Sequence, residues 1–190
     1  RPNLPMVRAA HEAGALVAYQ AGYSREALFD ALLGCVDVIN IISNNFQRHR
    51  FQPRSRYSNL LEVEGFPVYP DTAEGMVDMS LEWYYRLLNC GLRLAAGAES
   101  ATGAKNSPVG YNRTYVRAGE HPALPEFYAA WRAGRNFVTC GPMLFLKVNA
   151  RHEPGDVIAL DAAGAEVAIE AEALADQPLT ALELVVNGRV

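Results

Sequence analysis

Two apolar stretches, GALVAY at 14–19 and VDVINII at 36–42, flank the segment SREALFDALLG at 24–34. Both have the length and continuous apolar character of buried strands, and the second is rich in β-branched residues. The segment between them predicts a helix over 25–33, because Ser24 is a favourable N-cap and Gly34 a favourable stop. A strand, a helix and a strand joined by short turns predict a parallel βαβ unit.

Further helices and strands are predicted on both sides of this unit. The sequence predicts helices over 7–13, 73–89 and 125–133, and strands over 92–96, 114–117 and 137–139. The polar segment 43–72 has no sustained period and predicts a long surface loop. Alternating helices and strands of this kind predict an α/β fold.

Beyond residue 142 the pattern becomes all-β. Strands are predicted over 144–148, 166–171 and 182–186, and apolar residues alternate with polar or small ones in the last two. The sequence therefore predicts an α/β domain at 1–142 and a small antiparallel β module at 143–190. Three or four strands are too few for a whole sandwich, so the module is predicted to be incomplete.

Composition narrows the class of protein. The formal net charge of −4 and the pI near 5.6 disfavour a general nucleic-acid binder, and no stretch reaches the roughly 20 apolar residues that a membrane helix needs. Cys35, Cys90 and Cys140 form no CxxC pair and are predicted to be buried free thiols. No signal peptide is visible, but the first residue is Arg1 and not Met, so the compartment stays open.

Several motifs, in order along the chain, resemble one enzyme family. The most specific is WRAGRNFVTCGP at 131–142, and it is joined by the helix-to-strand run at 83–100, by GALV at 14–17 and by NRTYV at 112–116. These segments resemble the polymerase-and-histidinol-phosphatase (PHP) metallohydrolases, especially the carbamate-hydrolase-like branch. The resemblance covers nearly the whole chain and identifies it as the C-terminal portion of such a protein.

The resemblance implies a fold and a chemistry. The fold would be a portion of a distorted β/α barrel, followed by the β module. The cofactor would be a cluster of divalent zinc, manganese or iron ions at the carboxyl ends of the strands. Such ions lower the pKa of a bound water and polarise the phosphoester, ester or carbamate that is hydrolysed.

The metal motif of that family is degenerate in this chain. The family's Gly-Ser-Asp-x-His turn becomes Gly97-Ala98-Glu99-Ser100-Ala101, which keeps a carboxylate and loses the imidazole. Ala21 stands where the family has another His, and no His-x-His motif is present. A catalytic zinc needs about three protein ligands, so Glu99 alone is a candidate remnant ligand. The alternative interpretation is that Glu99 is a solvated or Arg-paired carboxylate, and the cofactor is expected to be weakly bound or absent.

A second candidate feature is basic and aromatic. Arg48, Arg50 and Arg54 alternate with aromatic side chains, and Arg113 lies in the NRTYV motif. Arg offers bidentate contacts to phosphate or carboxylate groups, so these four residues are candidate anion or substrate ligands. The alternative interpretation is a solvated loop or a contact with another domain or subunit.

Three functions are therefore compatible with the sequence. The first is a PHP-like homologue that is inactive, or weakly active, through the metal route. The second is a binding protein for a carbohydrate, an anionic ligand or a protein partner, with the barrel portion as scaffold. The third is an active hydrolase in which Glu99 works with ligands outside this sequence. The expected partner is a small molecule or the missing N-terminal part of the barrel, with no nucleic acid and no membrane.

Overall fold

A computed structural model describes residues 3–20, 25–43, 46–47, 50–51, 67–103, 107–162 and 164–190. The helices in this part of the chain are α1 (Leu4–Glu12), α2 (Arg25–Leu32), α3 (Ala73–Asn89) and α4 (Leu124–Arg132). The strands are β1 (Ala18–Tyr19), β2 (Val38–Ile42), β3 (Phe46–Gln47), β4 (Arg50–Phe51), β5 (Ala95–Ala98), β6 (Arg113–Val116), β7 (Asn136–Thr139), β8 (Met143–Val148) and β9 (Ile169–Leu174).

A parallel three-stranded sheet in the order β1-β2-β5 organises the first part of the chain. Val38 lies between Ala18 of β1 and Ala95 of β5 in the register. Helix α2 connects β1 to β2, and Gly34 follows it at a φ of 71°, a left-handed conformation that glycine adopts without strain. The predicted parallel βαβ unit is confirmed.

The core lies where α2 and α3 pack on this sheet. It is formed by six buried apolar residues: Ala27, Ala31, Val36, Ile39, Leu87 and Leu94. Helix α3 begins where Thr72 Oγ1 accepts a hydrogen bond from Gly75 N at 3.1 Å, and it buries Met76, Met79 and Trp83 on its apolar face. The predicted helix over 73–89 and the predicted burial of Trp83 are confirmed.

Helix α4 and the antiparallel pair β6–β7, which α4 connects, lie against β5. Ala96 O accepts hydrogen bonds from Trp131 Nε1 at 3.1 Å and from Asn136 Nδ2 at 2.8 Å. Ala98 N donates to Thr114 Oγ1 at 2.9 Å. Side chains thus satisfy backbone groups of β5 on the side that β2 leaves unpaired, which is how proteins cover a sheet edge.

Strands β8 and β9 form an antiparallel pair after residue 142, with Met143 opposite Leu174 and Val148 opposite Ile169. Arg93 Nη2 donates to Gly155 O at 3.2 Å, and Asn89 Nδ2 donates to Asn187 O at 3.1 Å, so this region contacts the end of α3 and the turn after it. The boundary between 1–142 and 143–190 stays a prediction.

Some predicted elements are wrong or displaced. Residues 182–186 form no strand and contribute only an isolated bridge from Val186 to Arg189. The segment 43–72 is not wholly a loop, because β3 and β4 pair within it. Strand β5 begins three residues later than predicted, because Leu92 and Leu94 pack against or within the core ahead of the ladder. Cys35 is buried as predicted, whereas Cys90 and Cys140 are exposed.

At a coarse level the chain is α/β, and the described residues form four small sheets without closing into a barrel. The description as a portion of a PHP-like barrel remains a proposal. In the described part of the chain, no helix combines the length and the apolar character needed to cross a bilayer.

Candidate functional site

The carboxyl edge of the parallel sheet is a candidate ligand site. Because β1, β2 and β5 run in the same direction, their last residues Tyr19, Ile42 and Ala98 lie along one edge. Open parallel sheets bind ligands at this edge. Ser43 and Glu99 directly follow the second and third of these strands.

The turn after β5 is held by a network of hydrogen bonds centred on Asn112. Glu99 N donates to Ile42 O at 3.0 Å, which continues the ladder one residue past β5. Asn112 Nδ2 donates to Glu99 O at 2.8 Å and to Ser43 O at 3.3 Å, so one amide joins the two strand ends. Ser100 Oγ donates to Asn112 O at 3.1 Å and accepts from Asn112 N at 2.9 Å. Ser43, Ser100 and Asn112 are all buried, so these bonds are shielded from water.

Ala101 ends this turn in a strained conformation. Its φ is 49°, which lies in the left-handed region that residues other than glycine rarely adopt. Such a residue costs on the order of 1 kcal/mol or more and persists only where its surroundings fix it. The turn is therefore shaped by its hydrogen bonds, at the position where the family pattern has a metal-binding His.

The described residues at this edge do not fit a divalent-metal cluster. Glu99 is half-buried and its Oε1 is shielded from solvent, but Ser43, Ser100 and Ala101 offer no carboxylate, imidazole or thiolate beside it. Across the described ranges there is no group of three or more His, Cys, Asp and Glu with metal-binding geometry. Ala21, the other position where the family has His, lies outside the described residues.

The described histidines are spread over separate parts of the chain. His11 is exposed in the last turn of α1, and His121 is exposed in the loop before α4. His152 lies in the turn after β8, where its Nδ1 is 3.7 Å from Asp156 Oδ2. His49 lies outside the described residues. The placement of the described three agrees with their interpretation as ordinary surface side chains.

Only one of the four predicted anion ligands has a described side chain. Arg48 and Arg54 lie outside the described residues, and Arg50 opens β4 with its side chain undescribed. Arg113 Nη2 donates to Gly141 O at 3.2 Å, and its guanidinium lies 5.7 Å from the Tyr115 ring centroid. Because Arg113 follows Asn112 directly, it borders the Glu99 turn.

Sequence reasoning missed a polar pair at the same edge. Tyr19 Oη donates to Asp30 Oδ2 at 2.5 Å, and Asp30 is buried inside α2 with 1% of its surface exposed. Burial, followed by the bond to Asp30 and its charge, raises the pKa of the Tyr19 hydroxyl well above its ordinary value. The signal in the sequence was an Asp among the apolar positions of a predicted amphipathic helix. Within the described part of the chain, this pair fixes the end of β1 to α2.

A second concave surface lies beside the β6–β7 pair. It is a cleft of about 290 Å³ between that pair and β8. Tyr115 and Phe137, which are register partners, stack with ring centroids 5.1 Å apart and planes 12° apart. Leu144, Phe145 and Leu146 line the β8 side. No local pattern in the sequence predicts this cleft, because its walls come from segments that are separate in the chain.

In comparisons with known proteins, no family model, no curated protein and no solved structure matches this chain. The relation to PHP-like enzymes therefore rests on the sequence motifs and stands as a proposal.

Proposed function

We propose that this chain is a homologue of PHP-like metallohydrolases that has lost metal-dependent hydrolysis and acts by binding a ligand. The observation that carries the proposal is the turn at Glu99, Ser100 and Ala101. Its polar groups are hydrogen-bonded to Asn112, which also donates to Ser43 O, and its last residue has a methyl group where the family has an imidazole. In this proposal the ancestral metal turn serves as a structural corner of the sheet.

Physical chemistry supports this assignment. A zinc hydrolase uses about three protein ligands to hold the ion and lower the pKa of its water. One carboxylate at the end of β5 does not supply that set, and Ser43 offers its carbonyl oxygen to Asn112. The cleft beside β6–β7 supports the binding half of the proposal, because it offers a concave apolar surface bordered by a few charged groups.

The test is a metal and turnover measurement on the full chain. The purified protein is incubated with Zn²⁺, Mn²⁺ or Fe²⁺, dialysed and analysed for bound metal, then assayed on aryl phosphates, carboxyl esters and carbamates beside an active PHP enzyme. We expect substoichiometric metal and no turnover. Stoichiometric metal together with hydrolysis that Glu99→Gln abolishes would overturn the proposal.

A restoring variant makes the test sharper. Ala101→His returns an imidazole to the position that the family pattern assigns to it, and His tolerates the left-handed region better than most residues do. We expect Ala101→His to increase metal retention over the parent chain, and Ala101→Asn, which has a similar backbone preference and no imidazole, to leave it unchanged. If the parent chain and Ala101→His both retain stoichiometric metal, the absence of this His does not impair metal binding, and the proposal is contradicted.

A further inference from the structure

The cleft between β6–β7 and β8 combines an aromatic wall with an excess of positive charge. Tyr115 and Phe137 form an apolar wall of two rings that stack on each other, and Phe145 adds a third ring that is 47% exposed. An exposed aromatic surface in a concave site is a favourable place for a planar or acyl group, because burying it removes apolar area from water on both partners.

The charged groups at the cleft have the opposite sign to the chain as a whole. Arg117, Arg135 and Lys147 line it together with one acid, Glu153, whereas the chain carries a net charge of −4. Arg117 forms an ion pair with Glu153. Among the described residues, neither Arg135 nor Lys147 has a carboxylate within ion-pair distance. Two further acids lie near these cations: Glu170 is the register partner of Lys147 on β9, and the pKa of Asp156 is lowered by a hydrogen bond from Glu153 N and by nearby cations that include Arg135. Local positive charge on an acidic chain favours an anionic ligand.

Backbone pairing holds the β6–β7 side of this cleft in place, and a glycine in the turn after β8 packs closely against that side. Arg117 N donates to Arg135 O at 2.8 Å, which extends the β6–β7 ladder by one step and sets both cations at its end. Gly155 closes the same corner, where its φ is 92° and an added Cβ would lie 2.7 Å from Ala133 O. A ligand therefore meets a preformed surface and loses less free energy to ordering of the protein.

We propose that this cleft binds a small amphipathic carboxylate, whose apolar body lies on the Tyr115–Phe137 wall and whose acid group meets Arg135 and Lys147. The volume of about 290 Å³ is at the lower end of the range for ligand sites, so the ligand is smaller than a typical drug. This inference rests on the binding half of the proposed function and names its ligand class. It does not depend on the metal edge of the sheet.

The experiment is calorimetric titration of the full chain with two probes, 3-phenylpropionate and octanoate. Two controls separate the parts of the ligand: 3-phenylpropanol keeps the apolar body without the charge, and acetate keeps the charge without the body. We expect both probes to bind and to raise the melting temperature, and both controls to bind at least about tenfold more weakly. Raised salt should weaken binding of the probes.

Two variants with the same charge change locate the site. Lys147→Gln removes an exposed cation at the cleft, and Arg8→Gln removes an exposed cation on α1. We expect Lys147→Gln to weaken binding of the probes roughly five- to tenfold and Arg8→Gln to leave it unchanged, with unchanged melting temperatures of the free proteins.

Several results would overturn the inference. They are equal binding by Lys147→Gln and the parent chain, equal binding of 3-phenylpropanol and 3-phenylpropionate, and no binding of either probe. Concentration-dependent dimerisation that Phe145→Ser abolishes would assign the cleft to a second copy of the chain instead. None of these binding results bears on hydrolysis. The proposed loss of hydrolysis is tested separately by the metal and activity assays.

Discussion

Arg132 Nε lies 2.8 Å from Asp37 Oδ1, and this ion pair joins α4 to the start of β2 across 95 residues of sequence. The other oxygen, Asp37 Oδ2, accepts from Val17 N at 2.8 Å, next to the start of β1. The Asp37 side chain is 7% exposed and that of Arg132 is 41% exposed. One buried carboxylate therefore fixes the amino edge of the parallel sheet, opposite the edge that carries Glu99.

Removal of that carboxylate should destabilise the chain strongly. Asp37→Ala leaves Val17 N and the Arg132 guanidinium without this acceptor, so we expect the free energy of unfolding to fall by about 2–4 kcal/mol in urea denaturation. Glu82→Ala, which breaks the exposed Glu82–Arg86 pair within α3, should cost about 0.5 kcal/mol or less. Similar losses in the two variants would contradict the structural role of Asp37.

Gly97 should be irreplaceable in the middle of β5. A Cβ there would lie 1.9 Å from Asn40 Oδ1 and 2.9 Å from Val38 Cγ1, so Gly97→Ala forces two buried side chains of the neighbouring strand to shift. We expect the free energy of unfolding, measured by urea denaturation, to fall by about 1–3 kcal/mol. Gly141→Ala is the matched control, because a Cβ at Gly141 meets nothing within 4 Å.

A double variant tests the cause of the Gly97 effect. Asn40→Ala removes the atom with the closest contact, so Gly97→Ala should cost less in the Asn40→Ala background than in the parent chain. Strict additivity of the two changes would show that the clash with Asn40 is not what requires glycine.

The predictable part of the fold is the part with local signals. The apolar face of α3 and the stop at Gly91 lie within one segment, and the helix predicted from them over 73–89 has the bounds of α3. Periodicity alone misplaced β5, because an apolar residue such as Leu94 is buried whether or not its backbone joins a ladder. It failed at 182–186 for the converse reason: Leu182, Leu184 and Val186 alternate as in a strand, yet they are more than half exposed.

The candidate site was predictable only in outline. The resemblance placed Glu99 at the carboxyl end of a strand, and the structure has it there, one residue past β5. The network around that turn depends on Asn112, thirteen residues farther along the chain, and no local pattern relates these two positions. The Tyr19–Asp30 bond and the aromatic cleft likewise depend on tertiary packing.

Asn112 gives a direct test of the structural role of the Glu99 turn. Asn112→Ala removes the donor to two shielded carbonyl groups, those of Glu99 and Ser43, so we expect a loss of about 2–3 kcal/mol in urea denaturation. Asn112→Asp keeps the shape and replaces the donor with a carboxylate, so it should be at least as destabilising at pH 7. Asn89→Ala removes one exposed bond to Asn187 O and should cost less than about 1 kcal/mol. A mild effect of both Asn112 variants would argue against a structural corner at this turn.

Tyr84 should make the chain sensitive to alkaline pH. Its hydroxyl donates to Leu94 O at 2.8 Å, and burial raises its pKa from 10.0 to about 12. Between these values the unfolded chain releases a proton that the folded chain keeps. The stabilisation from this group is therefore complete below pH 10 and is lost as pH rises toward 12, with a slope of up to about 1.4 kcal/mol per pH unit.

Tyr84→Phe removes both the hydrogen bond and the titrating group. Urea denaturation at pH 8 should show a loss of about 1 kcal/mol, and the difference from the parent chain should shrink at pH 10 and again at pH 11, because only the parent is still losing stabilisation from this hydroxyl. Tyr85→Phe is the comparison, since burial also raises the pKa of Tyr85 but Tyr85 is less deeply buried. If the parent and Tyr84→Phe lose stability in parallel between pH 8 and pH 11, the Tyr84 hydroxyl is not the group that keeps its proton in the folded chain.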